Sequence, residues 1–139
     1  MPTIFVASSA TMQEWGSDAG ISKHLYRVGL TEDDVKAAVD DMNAESYAGQ
    51  KDWVLAGSAT VDMEADGFLA RLADRQKLVD PLYYPKIKGA KDIVRIDQRK
   101  VEANIVIKRT MEGRDSKVPK LKPKDIAEYI ISSIQGGML

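Results

Sequence analysis

The stretch KHLYRVGLTEDDVKAAVDDM, Lys23–Met42, decides the fold, because it predicts a short strand that turns directly into a helix. The strand runs from Leu25 to Leu30 and is rich in side chains that favour strands. Thr31 follows, and it can cap a helix by accepting a hydrogen bond from a backbone N–H of the first turn. Apolar residues at helical spacing then indicate the helix, and these are Val35, Ala38, Val39 and Met42.

Gly29 is the residue of this stretch that we expect to tolerate substitution least. We expect it either to adopt a positive φ or to lie against another backbone. Both roles depend on the missing Cβ, so a larger residue would be costly there. Glu32, Asp33 and Asp34 would then occupy the first helical turn, where the helix dipole favours negative charge.

The rest of the chain alternates between two kinds of apolar periodicity. Alternating or β-branched apolar residues predict strands at Thr3–Ala7, at Trp53–Val61 with a bulge at Gly57, and at Ile93–Ile96. Helical spacing and capping residues predict helices at Asp66–Val79, at Asp97–Met111, and from Pro123 onward. Ile105–Ile107 would equally suit a strand. The first connection is long and could hold one helical turn around Thr11–Trp15.

These elements occur in the order β, loop, β, α, β, α, β, α, α, which predicts an α/β chain of the α+β type. We expect a small, mainly antiparallel central sheet of three to four strands, flanked by helices. The 139 residues suit one domain. Within it, residues 1–96 would form the core and residues 97–139 a helical, basic extension.

The composition narrows the chemistry that the chain can perform. There is no cysteine and one histidine, so disulfides and structural zinc sites of the Cys/His kind are excluded. Only a metal with oxygen ligands, such as Mg²⁺, stays open. No apolar run approaches the roughly 18 residues of a membrane span, and the first residues lack the pattern of a signal peptide. We therefore expect a cytoplasmic protein that does not contact a membrane.

The net charge of −1 conceals a division between the two halves of the chain. Residues 1–80 contain 7 Lys and Arg against 14 Asp and Glu, a balance of −7, whereas residues 81–139 contain 13 against 7, a balance of +6. Such an asymmetry favours an anionic partner for the second half, although a mixed, solvated surface produces it too.

The pattern of residues 3 to 96 resembles the GIY-YIG nuclease superfamily, and most of all its phage-associated branch, whose second motif often reads Lys-Ile-Gly-x-Thr. Ile4-Phe5-Val6 would stand for the first motif. Arg27-Val28-Gly29, followed by Leu30-Thr31, would stand for the second, and the helix with the acidic start would follow it. The resemblance implies a bacterial or phage-like protein with a nuclease-like core.

The resemblance also implies catalytic residues, and this chain departs from them. The family uses a motif tyrosine, an arginine in the next helix and a glutamate that binds a divalent cation. The tyrosine position falls on Arg27, beside Tyr26, and the arginine position falls next to Lys36. The helix Asp66–Val79 contains no glutamate, although Glu64 precedes it. The catalytic arginine and the metal-binding glutamate are thus missing, which implies a degenerate nuclease site.

The loop PLYYPKIKGAK, Pro81–Lys91, is the most distinctive connection in the chain, because two tyrosines precede several lysines. Lysines can contact phosphates and tyrosines can stack on bases, although the same composition suits a solvated loop whose tyrosines pack on the core. The candidate nucleic-acid-binding residues of this region are Tyr83, Tyr84, Lys86, Lys88, Lys91, Arg95, Arg99 and Lys100.

Three functions remain open from the sequence. The first is a non-catalytic binding module with a degenerate GIY-YIG-like core that contacts nucleic acid through the basic half, with no cofactor and no metal site. The second is a nuclease that depends on Mg²⁺ or a similar cation, with relocated catalytic groups among Tyr26, Arg27, Lys36 and Glu64. The third is a protein-interaction module or homo-oligomer, in which the acidic half of one chain meets the basic half of another.

Overall fold

A computed structural model describes residues 2–21, 24–113 and 120–135, and in these residues five antiparallel strands form one sheet. The strands are β1 (Thr3–Ser9), β2 (Leu25–Thr31), β3 (Trp53–Thr60), β4 (Lys77–Leu78) and β5 (Ile93–Arg95). Their order across the sheet is β3-β1-β2-β5-β4. The predicted α+β class and antiparallel sheet are confirmed, with one strand more than the three to four expected.

Five helices cover the sheet within the described residues, and they are α1 (Ala10–Asp18), α2 (Val35–Ala44), α3 (Ala65–Arg75), α4 (Gln98–Met111) and α5 (Pro123–Ile134). Two short 3-10 turns, Tyr47–Gly49 and Pro85–Ile87, lie in the connections. The helix at Asp97–Met111 and the helix opened by Pro123 are confirmed, and Ile105–Ile107 is helical. Asp97 caps α4 by accepting a hydrogen bond from the backbone N–H of Arg99 at 3.0 Å.

Alternation along the strands divides the core between the two faces of the sheet. On β1, Ile4 and Val6 belong to one cluster of buried residues and Phe5 and Ala7 to another. The first face is covered by α3, α4 and α5, whose buried apolar side chains complete the first cluster. The second face is covered by α1, α2 and the two 3-10 turns. Every central strand therefore has helices or loops on both sides.

The stretch Lys23–Met42 forms the expected strand and helix, but the turn between them differs from the prediction. The helix begins only at Val35, after the N-cap residue Asp34, so the acidic residues precede it. Thr31 does not cap the helix, because its Oγ1 accepts a hydrogen bond from the backbone N–H of Asp33 at 3.0 Å. This bond closes the turn that joins β2 to α2.

Gly29 has neither of the two roles that the sequence suggested. It lies within β2 without a positive φ, directly opposite Phe5 of β1. A Cβ at Gly29 would meet Cζ of Phe5 at 2.5 Å and Cε1 at 2.7 Å. Glycine is therefore required here because the Phe5 side chain, and not a neighbouring backbone, occupies the space of a Cβ.

The first connection contains a complete helix, α1, where one turn was expected. Ser9 caps it, since its Oγ accepts a hydrogen bond from the N–H of Met12 at 3.1 Å. The Ser9 hydroxyl in turn donates to Asp52, and Thr11 donates to the same carboxylate through its N–H at 3.0 Å and its hydroxyl at 2.8 Å. Partial burial raises the pKa of Asp52, but these hydrogen bonds lower it below the ordinary value. Asp52 thereby links the start of α1 to the start of β3.

The prediction of one helix at Asp66–Val79 is wrong at both ends. The N-cap is Glu64, and the helix ends at Arg75 because Gln76 is extended, with φ −133 and ψ 155. Lys77–Leu78 then pairs with β5 as the outermost strand. Residues that looked like a last helical turn thus complete the sheet.

The predicted bulge in β3 is confirmed next to Gly57. Val6 of β1 pairs with Gly57, and the next residue, Ala7, pairs with Leu55, so one residue of β3 is left over. A Cβ at Gly57 would lie 2.8 Å from Cβ of Ala127 in α5. Glycine therefore lets α5 approach β3 closely at the bulge.

Candidate functional site

Arg27 lies at the centre of a half-buried polar cluster on the second face of the sheet. Its Nε donates a hydrogen bond to Oδ2 of Asp92 at 3.1 Å. Its Cζ lies 4.1 Å from the ring centroid of Tyr47 and 5.1 Å from that of Phe5. The Arg27 and Asp92 side chains are 19% and 15% exposed, so little water competes for the ion pair or for the cation–π contacts.

Tyr47 enters the cluster through a turn with unusual backbone geometry. Ser46 and Ala48 both have φ 54, in the left-handed region that residues with a Cβ rarely adopt. The turn is held by Trp53, whose Nε1 donates to the carbonyl oxygen of Tyr47 at 2.9 Å. The Tyr47 hydroxyl donates to Oδ1 of Asp92. Burial, together with the charge of Asp92, raises the pKa of Tyr47, so the phenol stays neutral and remains a donor.

The groups of this cluster bind one another. Asp92 accepts from Arg27 with one carboxylate oxygen and from Tyr47 with the other. The cluster joins the centre of β2, the turn Tyr47–Gly49 and the start of β5. Its geometry therefore suits a structural link between the sheet and the loops that cover its second face.

The four residues considered for the nuclease alternative lie in separate environments. Tyr26 is buried in the core of the first face, where burial raises the pKa of its hydroxyl although a hydrogen bond with Gln13 opposes this. Arg27, its neighbour on the strand, projects to the second face. Lys36 is exposed on α2, which covers the second face, and Glu64 is exposed before α3, which covers the first. The fold does not bring the four side chains together.

The loop Pro81–Lys91 exposes one aromatic side chain to solvent, and a second aromatic side chain packs beneath it. Tyr83 is 75% exposed, and its ring lies 4.9 Å from that of Tyr84 at an interplanar angle of 69°. Tyr84 packs against the second-face core, and its ring lies 6.0 Å from that of Trp15 at 83°. Edge-to-face contacts of this kind stabilise aromatic pairs. Tyr83 thus packs at the surface on Tyr84, which is itself packed on Trp15.

One buried residue anchors the same loop, which also carries several lysines. Ile87, in the 3-10 turn Pro85–Ile87, is fully buried. Lys88 and Gly89 follow with φ 54 and φ 80, so two consecutive residues have a left-handed φ. Three exposed lysines extend from the loop, and they are Lys86, Lys88 and Lys91. The alternative in which the tyrosines pack on the core therefore holds for Tyr84 and not for Tyr83.

An apolar groove of about 860 Å³ lies beside the loop, between α3 and the outer strand. Leu69, Leu78 and Pro81 line it, and Leu82 stands at its rim with 93% of its surface exposed. Leu82 and Tyr83 together give the tip of the loop an apolar character that a purely solvated loop would not need.

A basic cleft of about 600 Å³ lies at the start of β4, where Lys77 lines it. The groove and the cleft share Ala73 of α3 in their walls, so the two depressions adjoin. The cleft contains four cationic side chains against two carboxylates, a net charge of +2, and the cations are Arg75, Lys77, Arg95 and Lys100. Of the residues predicted to bind nucleic acid, Arg95 and Lys100 lie in the cleft, and Arg99 is exposed on α4.

Arg75 and Lys77 were missed by sequence reasoning, because both were placed inside a helix in the acidic half of the chain. No alternation marked the strand, since Lys77 is followed by two apolar residues, Leu78 and Val79. Their position in the cleft follows from the pairing of β4 with β5, which no local pattern specifies.

Comparison with protein-family models, with curated proteins and with solved structures found no match for this chain. Among the described residues, no helix is both long and apolar enough to cross a membrane. In the same part of the chain, no three His, Asp or Glu side chains are grouped as they would be to hold a metal ion.

Proposed function

We propose that this chain is a non-catalytic module that binds single-stranded nucleic acid through the loop Pro81–Lys91 and the basic residues that follow it, on a core that resembles the GIY-YIG superfamily. The observation that carries the proposal is the exposed Tyr83 ring, which packs on Tyr84 in a loop that also carries three exposed lysines. Aromatic platforms next to phosphate-binding cations are the usual means of binding strands without reading their sequence.

Single strands are favoured over duplexes because of what Tyr83 offers. Its ring can stack on the face of an unpaired base, whereas the bases of a duplex are stacked on each other. The adjacent apolar groove can take further unpaired bases, and Lys86, Lys88 and Lys91 can neutralise the phosphates between them.

Fluorescence anisotropy with labelled single-stranded and double-stranded DNA and RNA tests the proposal. Three neutralised phosphates give a slope of about −2 in log K against log salt for a single strand, so the affinity should fall about 20-fold between roughly 50 and 200 mM salt. Tyr83→Ala should weaken binding by about 1–3 kcal/mol. Tyr83→Phe is the matched control, and it should bind like the wild type because it keeps the ring. Undetectable binding, or binding that salt does not weaken, refutes the proposal.

A nuclease that depends on divalent cations is the second candidate, and one observation favours it. The cluster of Arg27, Tyr47 and Asp92 contains an arginine, a tyrosine and a carboxylate, where the GIY-YIG resemblance implies an arginine, a tyrosine and a glutamate; Asp92 would take the place of the glutamate. Incubation of plasmid with the protein and Mg²⁺ or Mn²⁺ tests this candidate. Cleavage that Arg27→Lys abolishes would support it, and an uncut plasmid would exclude it.

A further inference from the structure

The cleft beside β4 contains a pair of like charges that face each other across two strands. Lys77 of β4 is directly opposite Arg95 of β5. Like charges in such a position are about 5 Å apart at Cβ and destabilise the pairing of the strands. Among the described residues, neither Lys77 nor Arg95 forms an ion pair with a carboxylate. An anion between the two side chains would relieve this repulsion.

Two more cations reach the cleft from the helices. Lys100 comes from the first turn of α4, and Arg75 comes from the end of α3. Arg75 is 3.8 Å from its neighbour Asp74, whose side chain is 80% exposed, and a pair so accessible to water contributes little. The carboxylate of Asp97 is already bound to the N–H of Arg99. The four cations still outnumber Asp74 and Asp97, so the cleft keeps a net charge of +2.

The shape of the cleft suits the terminal group of a bound polymer better than an internal segment of that polymer. Ile21, Tyr129 and the two helix ends enclose it from different parts of the sequence. Its volume of about 600 Å³ is that of a pocket for one small ligand, and not that of a long groove. The adjoining apolar groove leads from it toward Leu82 at the tip of the loop.

We propose that this cleft binds the terminal phosphomonoester of a nucleic-acid strand, an inference that rests on the proposed function. A phosphate monoester carries a charge of about −1.5 to −2 at pH 7 and offers three acceptor oxygens, whereas an internal phosphodiester carries a single charge. The cations of the cleft come from several different elements, so together they can bind the larger charge and the three acceptor oxygens of a monoester. The strand then continues from the cleft along the groove to Tyr83, so one surface holds both the end and the bases.

Anisotropy with one single-stranded oligonucleotide in three forms tests the assignment: a 5′-phosphate, a 3′-phosphate, or neither. We expect the wild type to bind one phosphorylated form about tenfold more tightly than the unphosphorylated form. Lys77→Gln should abolish this preference and leave the affinity for the unphosphorylated strand unchanged. Lys51→Gln, the same substitution at an exposed position before the opposite edge strand, should keep the preference.

The outcomes separate this inference from the proposed function. If all three forms bind equally, or if Lys77→Gln keeps the preference, the cleft does not hold the end of the strand, although the module still binds nucleic acid. If no form binds, both proposals fail. A nucleoside monophosphate that competes as strongly as the phosphorylated strand would overturn the assignment in favour of a free nucleotide.

Discussion

Replacement of Gly29 by valine tests the packing at the centre of the sheet, because glycine is there for steric reasons alone. A Cβ at this position would lie 2.5 Å from Cζ of Phe5, whereas carbon atoms in contact are about 3.5–4.0 Å apart. The Phe5 ring must therefore move by about 1 Å. It is 2% exposed and lies against the guanidinium of Arg27, so it has little room to do so.

The expected cost follows from these contacts. Overpacking of a filled core costs about 1–3 kcal/mol. Displacement of Arg27, whose Cζ would lie 3.2 Å from the new Cβ, weakens a cation–π contact worth about 0.5–1 kcal/mol. We expect Gly29→Val to lower the free energy of unfolding by about 2–4 kcal/mol, with Gly29→Ala somewhat less costly.

Urea denaturation of the variants measures this free energy directly. Gly67→Ala is the matched control, since Gly67 lies in α3 with nothing within 4 Å of its missing Cβ. It should stabilise the protein by about 0.5–1 kcal/mol, the ordinary gain from replacing a helical glycine. Valine is favoured over glycine in a strand that has room for it. A Gly29→Val variant as stable as the wild type, or more stable, would therefore refute the steric explanation.

Three further substitutions, and a control at Lys36, test other parts of the structure. Arg27→Ala should cost about 2–4 kcal/mol in urea denaturation, because it leaves the carboxylate of Asp92 partly buried without its cation, and a cost below about 1 kcal/mol would contradict this. The folded-state pKa of Asp52 is lowered, so its hydrogen bonds stabilise the fold at neutral pH and are lost as the pH falls through that pKa. Asp52→Asn should therefore lower the melting temperature at neutral pH and reduce its dependence on acid pH, and an unaltered acid profile would argue against this role. Asn43→Ala should cost about 1–3 kcal/mol, since the Asn43 amide pairs with both backbone groups at the start of β3, whereas Lys36→Ala on the exposed face of α2 should stay within about ±0.5 kcal/mol.

Local patterns were sufficient where the sequence carries a strong period or a cap. The apolar, β-branched run Thr3–Ala7 and the alternation in Trp53–Val61 correctly predicted strands, and Asp97 and Pro123 marked the starts of α4 and α5. Each of these signals acts within one element, since side-chain spacing decides which face is apolar and a cap binds the first turn of its own helix.

Local patterns failed where a distant segment competes with the local preference. Lys77 and Leu78 could continue α3, and they form a strand because β5 offers them backbone partners. The start of α1 is fixed by Asp52, from beyond α2, which binds the N–H and the hydroxyl of Thr11 in its first turn. In both cases the deciding hydrogen bonds join residues far apart in the chain.

The candidate site divides in the same way. The sequence by itself determined that Tyr83, Tyr84 and the nearby lysines share one loop, because they are consecutive or nearly so. Only the tertiary structure decided that Tyr83 is exposed while Tyr84 is packed. The Tyr84 ring packs against Trp15 and the second-face core, whereas the Tyr83 ring remains in contact with solvent. Likewise, only the pairing of β4 with β5 brings Lys77 opposite Arg95, because the register of two strands depends on which of their side chains the core buries.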